Sequence, residues 1–254
     1  MKNELRITIP IKLGELSANQ LKYIALLYLQ EYPKDEFLLK ALLKITGLKL
    51  LKEVKDEPGA WWFRHKSVKR PFILYADQLA EMNKKVDFLL NPDEVHPLRW
   101  IGLAKARHFR LYNATFEEYL MSENYYFAYV QTKDEQHLDN LIACLYRAPW
   151  KRWDAEKIQS RAKRFSRVRP EMKYTVFLWY IGFRAYVPKR CKALFSGKKS
   201  TRPFNVREYI NGMIHQLNNG DITLKPVLLR RPVWDALDEL EQRAIEADLY
   251  TPKN

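Results

Sequence analysis

Thr115-Phe-Glu-Glu118 is followed 17 residues on by Thr132-Lys-Asp-Glu135, and each has the Thr-x-x-Glu form of a capping box. In such a box the threonine hydroxyl accepts a hydrogen bond from the third amide, and the glutamate reaches back to the threonine amide. Two starts at this spacing predict consecutive helices over about 115–130 and 132–147, joined tightly enough to pack antiparallel. On the second, Leu138, Leu141, Ile142 and Leu145 fall at helical spacing and predict one apolar stripe. Downstream, Asp154 reads as a cap, and Trp153 before it as a hydrophobic staple onto Ile158. Steps of 100° place Ile158, Ala162 and Phe165 on one narrow face, with Lys157, Arg161, Lys163, Arg164 and Arg167 covering most of the remainder. Pro170 ends that helix. Glu171 to Tyr186 is apolar nearly all round, which marks a central, buried helix, and Pro188 kinks or restarts it. Val206 to Leu217, closed by Asn218-Asn-Gly220, and an acidic stretch from Trp234 to Leu249 complete the helical reading.

Upstream, Asn91-Pro92-Asp93 through Pro97 carries two prolines in six residues and reads as the domain boundary. The residues before it mix both element types. Leu5 to Ile11 alternates and reads as a strand. Ser17-Ala-Asn-Gln20 is a further capping box, opening a helix to about Gln30, and Asp35 opens another that stops at Gly47. Leu50 to Val54 and Trp61 to His65 flank the turn sequence Asp56-Glu-Pro-Gly59 and predict a hairpin. A strand at Phe72 to Tyr75 and a helix near Asp77 to Leu90 follow. The expected fold class is mainly α: a small N-terminal α+β unit over 1–95, then a multi-helix C-terminal domain over 96–254 that includes the basic region 147–207.

Composition bounds the function classes. A hydrophobic content of 47% and an aromatic content of 13% in 254 residues are those of a folded protein with a sizeable core. Two cysteines, Cys144 and Cys191, exclude a disulfide-dense secreted scaffold. The N-terminal Met1-Lys-Asn-Glu-Leu-Arg lacks the apolar core of a signal peptide. The longest apolar-rich stretch, Met172 to Val187, has 16 residues and two cations, whereas a membrane span needs about 20 apolar residues. The expectation is a cytoplasmic protein with no membrane partner.

The charge is local. Between Arg147 and Arg207 stand 18 lysines and arginines against three acidic residues, a surplus of +15 in a chain whose net charge is +14. Such a surplus points to an anionic partner. The candidate interface residues are Arg147, Lys151, Arg152, Lys157, Arg161, Lys163, Arg164, Arg167, Lys198 and Lys199. The same segment, Arg147-Ala-Pro-Trp150-Lys-Arg-Trp153, interleaves rings with cations, as single-strand nucleic-acid binders do. The staple spacing accounts for Trp153, so both tryptophans are expected to pack inward. The cationic face is then either a solvated surface or an interface. Asp235, Asp238, Glu239 and Glu241, with Glu246 and Asp248, form a candidate acidic counter-face on the final helix, within one copy or between copies.

Signatures of catalysis do not stand out. The eight glycines form no phosphate loop or dinucleotide fingerprint. His65, His96, His108, His137 and His215 form no His-x-x-x-His pair. His137 and Cys144 share a helical face, but seven residues of rise (about 10.5 Å) separate them, too far for a nucleophile and its base. Cys144 in an apolar stripe reads as a core thiol, and Glu117-Glu118 as a capping-turn pair. The expectation is a non-enzymatic protein without cofactor or metal.

Tyr119 to Tyr146, Phe183-Arg-Ala-Tyr186 and Leu237-Asp-Glu-Leu-Glu-Gln-Arg-Ala244 together resemble a group of tailed-phage and prophage proteins found among tail-morphogenesis genes. The resemblance covers about residues 113–250 and carries no functional residues with it. It implies a virion-assembly role, as a tail-assembly chaperone or as a structural component of the tail or neck. Other virion proteins, or a second copy, would be its partners, and its place the host cytoplasm or the particle. The alternative from the residues themselves is a nucleic-acid-binding protein using the 147–207 face.

Overall fold

The computed structural model describes residues 7–196 and 205–250. Helices take up 57% of the chain, which fixes the class as mainly α, and two antiparallel three-stranded sheets supply the rest of the regular structure among the described residues. The chain divides into two compact units. One comprises residues up to His96 with Pro170–Gly182; the other comprises Pro97–Arg169 and the residues from Phe183 onward.

In the first unit, α1 (Ala18–Leu29) opens on a complete capping box: Ser17 Oγ accepts from the Gln20 amide at 3.3 Å, and Gln20 Oε1 accepts from the Ser17 amide at 2.9 Å. α2 (Lys34–Thr46) ends where Gly47 turns left-handed at φ +73°, a conformation glycine adopts without cost. The hairpin forms as its turn sequence predicts. β1 (Lys49–Glu53) pairs with β2 (Ala60–Arg64), and β3 (Phe72–Tyr75) adds to the other edge of β2. Leu48, Phe63 and Leu79 are buried at its heart, the last from α3 (Ala76–Lys84), with Leu43, Trp61 and Phe72 packed around them. Two expectations fail here. Residues 7–11 form no strand, because no neighbouring strand pairs with them; Leu5 and Arg6 lie outside the described residues. The helix expected to run to Leu90 stops at Lys84, and Asp87–Leu90 form a 3-10 turn that brings Val86 and Leu89 into the core.

The second unit begins with a small sheet that the sequence reading missed. β4 (Trp100–Ile101) and β5 (Ala104–Ala106) form a hairpin around Gly102, which takes φ +58°, and β6 (Tyr146–Arg147) pairs with β5. Strands of two and three residues carry no measurable period. α4 (Phe116–Thr132) opens on the predicted Thr115 box. The second box does not form. α4 runs on through Thr132, whose hydroxyl donates to the Ala128 carbonyl at 2.8 Å. Lys133 then turns left-handed, and Asp134 caps α5 (Glu135–Leu145) by accepting from the Gln136 amide at 2.9 Å. Aspartate caps as well as threonine does. α5 packs against α4 and is buried on all sides from Leu138 onward, Asp139, Asn140 and Cys144 included, so the predicted stripe is only part of its buried surface.

The long basic helix expected after Asp154 is short. Only Ile158–Ala162 (α6) is regular, and turns continue to Arg167. Asp154 accepts from the Glu156 amide at 3.1 Å, ahead of the helix rather than capping it. Ser160 and Ser166 donate to the carbonyls of Lys157 and Lys163, and such local bonds compete with a regular helix. The narrow face of Ile158, Ala162 and Phe165 is buried as predicted.

α7 (Pro170–Arg190) starts with proline in its first turn and continues through Pro188. Phe177, Leu178 and Tyr180 are buried, and Ile181 is half-buried. Its residues up to Gly182 group with the first unit, whereas the sequence reading assigned them to the C-terminal domain. The reason is local packing: Tyr174 lies 6.1 Å from the Tyr28 ring, and a Cβ on Gly182 would stand 3.3 Å from the Val95 amide nitrogen. α8 (Val206–Asn218), α9 (Lys225–Arg230) and α10 (Val233–Tyr250) complete the second unit.

Candidate functional site

The second unit gathers cations around one buried carboxylate. Glu118, in the first turn of α4, is 2% exposed. Its Oε2 accepts from the Thr115 amide at 3.0 Å, the second limb of the capping box. Its Oε1 accepts from Arg107, which follows β5, and from Arg147 on β6 at 3.1 Å. Sequence spacing accounts for the capping role of Glu118 alone, because a glutamate shared by a box and two distant arginines has no local signature.

A third guanidinium, Arg161 of α6, lies 5.0 Å from the Trp153 ring centroid and donates to the Asp154 carbonyl at 3.0 Å. Burial pulls the pKa of Arg147 below the usual arginine range, and the positive charge of Arg107 adds to the effect. Burial does the same to Arg161. The Nε atoms of Arg107 and Arg161 are buried without an acceptor. Two guanidinium groups thus share the Glu118 carboxylate, and with Arg161 the cluster retains positive charge.

Arg147 and Arg161 are half-buried rather than fully exposed. Lys157 is tied to Asp154 at 2.6 Å. Lys151, Arg152, Lys163, Arg164 and Arg167 are exposed as expected. Lys198 and Lys199 lie outside the described residues. The tryptophans also differ from expectation. Trp153 is no staple: it is half-buried, and its indole N–H donates to Glu117 Oε2 at 2.6 Å. Trp150 stands 68% exposed on a turn in which the Lys151 amide bonds the Ala148 carbonyl. Once the indole of Trp153 is satisfied by Glu117 and Arg161, the turn after Pro149 directs Trp150 outward. Trp100, 43% exposed, is paired in register with Lys105, itself opposite Arg147. Directly opposed residues share a sheet face, so an aromatic ring and two cations form one cross-strand row.

Next to this row lies a cavity of about 240 Å³ between the β4–β5 turn, β6 and α6. Arg147, Arg161 and Arg164 line it together with Leu103, Phe165 and Val168. A larger depression of about 610 Å³ beside α8 and α10 includes Arg243. That guanidinium is already spent on the Gln216 and Leu217 carbonyls, Asn219 and Glu239, which leaves little for a ligand.

The acidic residues of α10 are engaged within the unit. Asp238 pairs with Arg190 at 2.6 Å, and Arg190 also lies over the Trp234 ring. Glu239 bridges Arg231 and Arg243, each at 2.6 Å. Glu241 accepts from the amides of Ala193 and Leu194 at 2.9 and 2.7 Å. Asp235 is exposed. The counter-face thus meets the 190–194 end of the basic segment, in one copy. The thiols are core groups: Cys144 is buried in α5, its pKa raised by burial, and Cys191 is buried with its pKa pushed up to about 11 by burial and then by Asp238 and Glu241. Among the described residues no helix is long and apolar enough to cross a membrane. The chain matches no protein-family model, and no curated protein or solved structure is similar to it.

Proposed function

We propose that this is a binding protein rather than an enzyme, and that the second unit holds single-stranded nucleic acid across the face running from Arg147 to Val168. The observation that carries this reading is Trp150, 68% exposed and followed by the exposed cations Lys151 and Arg152, which separate it from the half-buried Trp153. Leaving an indole in water forfeits burial free energy unless a partner covers it, and a base stacks on such a ring while lysine and arginine meet the phosphates. Trp100 in a row with Lys105 supplies a second ring of the same kind. Fluorescence anisotropy with a labelled single strand at physiological salt tests the reading. Trp150→Ala is expected to cost about 1–3 kcal/mol of affinity with unchanged helicity by circular dichroism. Absence of binding, or binding indifferent to Trp150→Ala, would refute it.

A second reading, assembly onto another protein, is favoured by a different patch. Ile222, Leu224 and Val227 stand exposed within six residues before and inside α9. Clustered exposed apolar groups mark protein interfaces, and the likeness to phage tail-morphogenesis proteins supplies a setting for one. Sedimentation of the protein mixed with candidate virion proteins, with and without Ile222→Ser and Val227→Ser, distinguishes the two.

A further inference from the structure

We infer that the cavity between the β4–β5 turn, β6 and α6 is a site for a terminal phosphate carried on a nucleoside, a phosphomonoester end rather than an internal phosphodiester. The inference deepens the nucleic-acid reading and rests on it for the identity of the ligand, though not for the existence of the site. Its first basis is charge. Arg147, Arg161 and Arg164 line the cavity, and among the described residues no acidic side chain does. Glu118, behind Arg147, is shared with Arg107 and neutralises only one charge of the group. An internal phosphodiester brings a single negative charge, whereas a terminal phosphate carries about 1.5 to 2 at neutral pH. Arg107, Arg147, Arg161 and Arg164 against Glu118 leave a surplus of three positive charges, of which a dianion meets two and a monoanion one.

The second basis is unused donors. Arg161 gives one of its five N–H groups to the Asp154 carbonyl, and Arg164, exposed beside it, lines the same cavity. Planar guanidinium forks match phosphate oxygens in pairs.

The third basis is shape. The cavity holds about 240 Å³, more than a bare oxyanion fills. Phe165 and Val168 form apolar wall, and Leu103, 77% exposed at the tip of the β4–β5 turn, forms a lip over it. A ribose or base fits such walls; a hydrated inorganic anion gains nothing from them. Trp150 is two residues past Ala148, itself a lining residue, so a strand whose end enters the cavity continues toward the exposed ring.

Competition binding to the full-length protein tests this with four probes: a decathymidylate with a 5′-hydroxyl, the same strand with a terminal phosphate at either end, thymidine 5′-monophosphate, and inorganic phosphate. The expected result is at least a tenfold preference for a phosphorylated over a hydroxyl end. Arg164→Gln, at an exposed position that leaves the core untouched, should bring the ratio close to one. Trp150→Ala should weaken both strands and preserve the ratio. Equal affinity for the two ends overturns the phosphomonoester site and leaves the strand-binding face standing. Tight binding of the mononucleotide with no binding of the hydroxyl strand supports the site and overturns that face. Inorganic phosphate binding as tightly as the mononucleotide overturns the nucleoside part of the assignment.

Discussion

Glu118 shows how much one residue can be asked to do. It closes the helix box at Thr115 and holds two arginines that arrive from β5 and β6. Breaking a buried ion pair on one side strands the other charge in a poorly solvating interior. Glu118→Gln should therefore cost about 3 kcal/mol in urea unfolding, far more than a cap alone is worth. Glu117→Gln, next to it, keeps an oxygen to accept from the Trp153 indole N–H and loses only the charge of that acceptor, so it should cost about 1 kcal/mol. Similar costs for the two variants would show that the arginines find other partners, and that the cation cluster is not held by Glu118.

At the level of elements, what was legible in the sequence is what is encoded locally. The boxes at Ser17 and Thr115, the glycine stop at Gly47 and the turn at Asp56–Gly59 each satisfy their own backbone within a few residues, and each forms as read. The pairing of β6 with β5 and the side-chain orientation of Trp153 depend on partners tens of residues away. Trp153, for example, is fixed by Glu117, 36 residues earlier. The basic face was legible as composition, but not which cations are drawn inward by Glu118. Two predictions belong to this scale. A Cβ at Gly14 would lie 2.5 Å from the Glu94 carbonyl oxygen, so Gly14→Ala should destabilise the first unit by about 1–3 kcal/mol through overpacking, read by thermal unfolding. On α10, the hydrogen bond from Arg231, aided by Arg243, holds the Glu239 carboxyl below its ordinary value of 4.5. A lowered folded-state pKa gives stability that is present above the unfolded value and lost as pH falls through the folded one. The native protein should lose stability more steeply below about pH 4.5 than Glu239→Gln. Parallel pH profiles for the two would show that the Arg231 and Arg243 pairs contribute no stability.

For the whole molecule, a net charge of +14 overstates the cations open to a partner. In the basic segment Arg147 is committed to Glu118, Lys157 to Asp154, Arg184 to Glu123 and Arg190 to Asp238. The exposed set on the proposed face is Lys151, Arg152, Lys163, Arg164 and Arg167. Each phosphate contact releases counterions, and for single strands each steepens the log–log salt dependence of affinity by about 0.7. Five contacts give a slope of about −3.5, whereas participation of all 18 cations of the segment would approach about −13. Replacing both Lys163 and Arg167 with Gln should flatten the slope by about 1.4. Arg190→Gln should leave it unchanged, since that charge is already met by Asp238. Titrations between about 50 and 300 mM salt read both numbers. A slope indifferent to Lys163 and Arg167 would mean that phosphate is not what this face meets, and would move the function to the protein-binding reading.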